Sequence, residues 1–138
     1  MTFLAERLAE LWKHLDHLEE IRPSVRGPES LTTNLSLHND VLFSLLSVAQ
    51  LVIDISGELS TRRKLPFADY TSAVRNLAGH EAFDDELVAS LVRLPGFRNV
   101  LLHEYVDLDY AMAVDALQNL EPVRRFAEIV AALEAEGA

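Results

Sequence analysis

Residues 34–59 read NLSLHNDVLFSLLSVAQLVIDISGEL, and their spacing decides the fold class. Leu42, Leu45, Leu46, Ala49, Val52, Ile53 and Ser56 recur at steps of three and four, the repeat of one helical face. No proline interrupts them, so the segment predicts one long helix with a broad buried side. Toward the N-terminus, Leu4, Leu8, Leu11, Leu15 and Leu18 draw a second apolar stripe, ending before Pro23. Its length corresponds to an amphipathic helix of roughly 20 residues.

Downstream, prolines and glycines cut the chain into shorter pieces. After the charged loop STRRKLPF, a short helix is expected from about Pro66 to Ala78, stopped by Gly79 in a left-handed cap. Asp84 is placed to cap the next helix, with Phe83 and Val88 as a hydrophobic staple. That helix should end near Pro95-Gly96, and FRNVLLHEY should begin another. Asp107 or Asp109 then caps a last long helix that turns Ala113, Leu117, Leu120, Val123, Ala127 and Val130 inward and bends at Pro122. Strand-like alternation is nowhere sustained. The expectation is an all-α bundle of long antiparallel helices with short inserted ones, forming one domain over residues 1–138.

Composition narrows the function. Hydrophobic residues are 49% of the chain, enough for a core. No continuous apolar run approaches the roughly 18 residues of a membrane span, and no signal-peptide cleavage pattern opens the chain. Cysteine is absent, which excludes disulfides and thiolate chemistry and suits a cytoplasmic setting. The net charge of −10 opposes broad, nonspecific binding to polyphosphate. A local cationic site remains compatible with it, as does a partner protein with a basic face.

The stretch GFRNVLLHEYVD, residues 96–107, carries the candidate chemistry. At about 100° per residue, Asn99 and His103 share a helical face, whereas Arg98 and His103 stand about 140° apart. Either Arg98 sits in an irregular first turn after Pro95-Gly96, or its guanidinium meets the imidazole of a second chain. Guanidinium pairs two phosphate oxygens and stays charged. Imidazole moves protons near neutral pH. RNA brings its own nucleophile, the 2′-hydroxyl, so these groups suit phosphodiester cleavage with neither metal nor cofactor. By spacing alone, Arg-x4-His also fits ordinary helix packing.

In its order of residues, GFRNVLLHEYVDLD resembles the signature of HepT-like proteins, ribonuclease toxins of the HEPN superfamily, at Arg98, Asn99, His103 and Tyr105. The leading helix, SVAQLVIDISGEL, LPFADYTSAVRNLAGH and ALQNLEPVRRFAEIVAAL follow in the family's order, so the likeness runs the length of the chain. It implies an α-helical homodimer whose paired motifs meet in a cleft, forming the toxin of a type VII toxin–antitoxin system and a metal-independent endoribonuclease. Arg98 would steady the phosphate, His103 would act as general base or acid, and Asn99 would orient groups beside them. The implied partner is a minimal nucleotidyltransferase antitoxin that silences the toxin by AMPylation of Tyr105. An AMP group there would repel an RNA phosphate. The alternative the resemblance allows is a non-catalytic HEPN subunit docked on a nucleotidyltransferase. Many relatives read Asp-Ile-Ala-Asn-His where this chain reads Asp54-Ile55-Ser56-Gly57-Glu58, so Asp54 remains as a supporting residue and Glu58 replaces the histidine.

Other polar residues carry plainer expectations. His14 and His17 lack metal-ligand spacing, and His38 and His80 read as surface or capping groups. Trp12 reads as a core or dimer contact. Arg62, Arg63 and Lys64 either guide RNA or form a solvated turn.

Overall fold

The computed structural model describes residues 2–103 and 108–137. Helix α1, Phe3–Ile21, is capped by Thr2, whose hydroxyl accepts from the Ala5 amide at 3.0 Å. All five leucines of its stripe are buried. A 3-10 turn at Arg22–Ser24 carries Pro23 in its opening position. A short α2, Pro28–Thr33, follows where the sequence suggested only punctuation, with Pro28 at its first residue.

The long α3, Leu35–Arg62, is capped by the Asn34 side chain accepting from the Leu37 amide at 3.1 Å. It packs along α1 and also contacts several of the shorter helices before and after it in the chain. Its buried set extends past the anticipated face to Val41, Val48, Ile55 and Leu59, while Leu42 and Leu46 are only half-buried. By length and composition α3 could cross a membrane, with mean hydropathy 1.6 over an 18-residue window. Half of that window is buried within the bundle, and this central packing accounts for the apolarity.

Four expectations at the punctuation change. The helix placed at 66–78 begins only after Asp69, whose carboxylate accepts from the Ser72 amide at 2.7 Å, giving α4, Tyr70–Arg75. A 3-10 turn, Asn76–Gly79, completes it, and Gly79 is not left-handed. Instead Arg63 reaches back and donates Nη2–H to the Gly79 carbonyl at 2.8 Å, satisfying an end the glycine was expected to close. Helix α5, Asp85–Leu91, is capped by Asp84 as expected, with Phe83 and Val88 both buried. It stops before Pro95-Gly96, which lie inside the first turn of α6, Leu94–His103. Proline there forfeits no helical hydrogen bond, so the pair begins a helix instead of ending one. Asp109 caps α7, Tyr110–Gln118, while Asp107 lies outside the described residues. Pro122 falls in the opening turn of α8, Glu121–Ala135, so the last segment is broken into two helices where a bend was expected.

Among the described residues there is no strand, and the all-α expectation stands. The core gathers α1, α3, α7 and α8 around Phe126, Leu11, Leu15, Ile53 and Leu117, all fully buried.

Candidate functional site

Helix α6 lies against α3, with Pro95 and Leu101 buried. That leaves two flanking faces. Arg98 and Leu102, four residues apart, turn toward a cleft; Asn99 and His103, also four apart, are exposed on the next face. The cleft has a volume of about 470 Å³ and is floored by Gln50, Leu51 and Asp54 of α3. Arg7, Glu10 and His14 of α1 form its opposite wall.

Arg98 is half-buried and held on three sides. Its Nε–H donates to Gln50 Oε1 at 2.7 Å, and Nη1–H donates to Asn99 Oδ1 at 3.0 Å. Its Cζ lies 5.2 Å from the ring centroid of Tyr70, on α4, within cation–π range. Gln50 Nε2 donates onward to Asp54 Oδ1 at 2.9 Å, and the other Asp54 oxygen lies 4.0 Å from Arg7 Nε. Arg7 in turn stacks on Phe3, 4.4 Å from Cζ to centroid. The floor therefore alternates cation, amide, carboxylate, cation.

His14 shares the cleft. Its Nδ1 lies 3.0 Å from Ser44 Oγ and its Nε2 4.0 Å from Glu10 Oε2. Burial depresses its pKa below 6.5, with Glu10 pulling the other way. The shift favours the neutral imidazole.

The structure brings Arg98, Asn99 and Asp54 into one region, with Gln50 linking the first to the last. It does not bring His103 onto Arg98 within one chain. Arg98 occupies regular helix, not an irregular first turn, and the roughly 140° separation persists. His103 is the last residue of α6, exposed, and its side chain makes no hydrogen bond among the described residues. The Tyr105 assignment falls outside the described residues.

Arg7, His14, Gln50 and Tyr70 were not singled out from the sequence as cleft residues. Gln50 and Asp54 gave one usable signal, two polar residues one turn apart on a mostly apolar helix. Glu58 pairs with Arg62 at 3.4 Å. Arg62 also pairs with Glu134 at 3.4 Å, and Arg63 binds the carbonyls of Asn76 and Gly79. Arg62 and Arg63 are thus engaged within the chain, and none of Arg62, Arg63 and Lys64 lines the cleft. Trp12 is partly buried beneath Arg124, 5.7 Å from centroid to Cζ. His38 Nε2 lies 3.2 Å from the Tyr110 hydroxyl, and His80 Nδ1 accepts from the Ala82 amide at 3.0 Å. Among the described residues no three His, Cys, Asp or Glu side chains cluster as a metal site would require.

This helical arrangement is that of the HEPN toxins. A tri-AMPylated HEPN toxin of Shewanella oneidensis, solved in complex with an MNT antitoxin, superposes with TM-score 0.81 at 18% identity, covering 96% of this chain and 99% of that one. A toxin–antitoxin structure with AMP-PNP gives TM-score 0.80 at 18% identity, covering 94% and 97%. An MntA–HpeT pair bearing a tyrosine-to-alanine substitution gives 0.80 at 19%, covering 95% and 99%. No curated protein matches in sequence. The family pattern described as "Ribonuclease HepT-like" matches residues 12–130, and the chain belongs to that family.

Proposed function

We propose that the protein is the toxin of a type VII toxin–antitoxin pair, a metal-independent endoribonuclease acting as a cytoplasmic homodimer. The observation that carries this is Arg98, a guanidinium fixed at a cleft by Gln50 at Nε and by Asn99 at Nη1, with no hydrogen bond to Nη2 among the described residues. A planar, permanently charged donor of that kind matches a phosphodiester.

In the reaction, the RNA 2′-oxygen forms a bond to phosphorus while the bond from phosphorus to the 5′-oxygen breaks. A base removes the 2′-proton, and an acid delivers one to the leaving oxygen. One exposed His103 per chain supplies one of these roles, and a homodimer supplies both. Dimerisation also answers the angular problem, because Arg98 then works beside the partner's imidazole. Asn99 tethers the Nη1 edge and Asp54 supports the floor through Gln50. The partner that silences the enzyme is a minimal nucleotidyltransferase, which AMPylates Tyr105. The solved complex of a tri-AMPylated HEPN toxin with an MNT antitoxin, which shares this fold, supports this reading.

Purified protein should cleave RNA in EDTA. His103→Ala should lower kcat by on the order of 10²- to 10⁴-fold, the usual range for losing a proton-transfer group. Arg98→Ala should abolish cleavage with unchanged helical content. Tyr105→Phe should cleave RNA yet accept no AMP by mass spectrometry. Cleavage by Arg98→Ala at the parent rate would overturn the proposal.

A further inference from the structure

We infer that Gln50 is the positioning residue of the cleft: a neutral amide that aims Arg98 while insulating its charge from Asp54. The inference rests on the ribonuclease reading above and deepens it.

The amide's orientation is chemically determined. A guanidinium offers only donors and an ionised carboxylate only acceptors. Gln50 meets each correctly, Oε1 receiving Arg98 Nε–H at 2.7 Å and Nε2 donating to Asp54 at 2.9 Å. Flipping the amide would set donor against donor and acceptor against acceptor, so the contacts lock one rotamer. Gln50 and Asp54 sit one turn apart on α3, a rigid central helix, so the anchor itself is fixed.

The choice of a neutral group has an electrostatic consequence. A glutamate at position 50 would reach the same Nε–H but form a direct ion pair, neutralising Arg98 and repelling a phosphate. With glutamine the nearest floor carboxylate, Asp54, is one side chain removed, and Arg7 lies 4.0 Å from it. Arg98 thereby keeps its positive charge for an incoming anion, in a chain whose global charge of −10 opposes one.

The test measures binding of an RNA with a 2′-deoxy substitution at the cleavage site, which the protein holds but cannot cut, alongside kcat and KM on the cleavable RNA. Gln50→Glu, nearly isosteric, should weaken binding of the uncleavable RNA about tenfold, equivalent to about 1.4 kcal/mol, and lower kcat/KM at least as much. Gln50→Met, which keeps the volume but removes the acceptor, should lower kcat while leaving binding closer to the parent. In Gln50→Glu/Asp54→Asn the cleft's summed charge returns to that of the parent, but a carboxylate still touches Arg98, so binding should stay weak. Parental binding in that double variant, or in Gln50→Glu alone, would overturn the inference. The underlying reading fails differently: there, Arg98→Ala itself would cleave normally, whatever position 50 holds.

Discussion

Three serines lie buried on α3, and the chain treats each differently. Ser44 Oγ lies 3.0 Å from the His14 ring. Ser60 Oγ donates toward the Ser56 carbonyl at 2.9 Å and accepts from Asn76 Nδ2 at 3.2 Å, tying α3 to the end of α4. Ser56 Oγ, wholly buried, has no partner among the described residues. A buried hydroxyl without a hydrogen bond retains its desolvation cost, whereas a satisfied one contributes. The same Ser→Ala change therefore has opposite signs four residues, about one helical turn, apart. Ser60→Ala should destabilise by about 1 kcal/mol, and Ser56→Ala should stabilise by up to about 1 kcal/mol. Urea unfolding midpoints at equal m-values check both; a larger loss for Ser56→Ala than for Ser60→Ala contradicts the account. The spacing places Ser56 on the buried face, but nothing in the sequence marks its hydroxyl as unpartnered, since any partner would have to come from another element.

At the scale of elements, Asp84 joins two helices. Its Oδ1 accepts the Leu87 amide of α5 at 2.7 Å, while Oδ2 receives Arg125 Nη2–H of α8 at 2.7 Å. The Arg125 bond first, and the Leu87 amide second, hold its pKa below 3.8. A carboxyl depressed on folding stabilises above its unfolded pKa, and that stabilisation is lost as pH falls through the folded value. Asp84→Asn retains a capping acceptor but not the charge. It should lower Tm by a few degrees at neutral pH, with the difference from the parent closing as the pH drops below 3.8. Thermal melts across that acid range decide it; a gap that persists in acid would mean the charge is irrelevant. The cap at Asp84 was legible in the sequence because capping is local, three residues from donor to acceptor. The pairing with Arg125, 41 residues away, was not. The same contrast divides the rest. The stripes of α1 and α3 announced themselves by periodicity, and Arg98, Asn99 and Asp54 by resemblance to a family. Gln50 lies 48 residues from Arg98 and gains its meaning only when α6 docks on α3. Pro95-Gly96 and Pro122 misled because proline marks a boundary without saying which side the helix lies on.

For the whole molecule, the unpaired apolar surface and the proposed chemistry point to the same face. Phe43 is 63% exposed and Leu102 37%, and both border the cleft that holds Arg98. Bulky side chains left so open beside a cationic site are what a second protomer would cover, and a second protomer is what the proposed mechanism calls for, with one motif histidine, His103, in each chain. Two chains of charge −10 also repel, so association has to draw on that apolar area and should strengthen as salt screens the repulsion. Phe43→Glu adds charge and removes the apolar contact without touching the core. It should sediment as a monomer at concentrations where the parent is dimeric, retain the parent's circular dichroism, and lose RNA cleavage. Mixing it with His103→Ala chains should not restore activity, because the lesion is in assembly and not in the proton-transfer group. For the parent, activity per chain should fall on dilution, and fall sooner at low ionic strength. A Phe43→Glu monomer that cleaves at the parental rate would show that one chain completes the site alone, and would send the search for the second proton-transfer group to His14, the imidazole already inside the cleft.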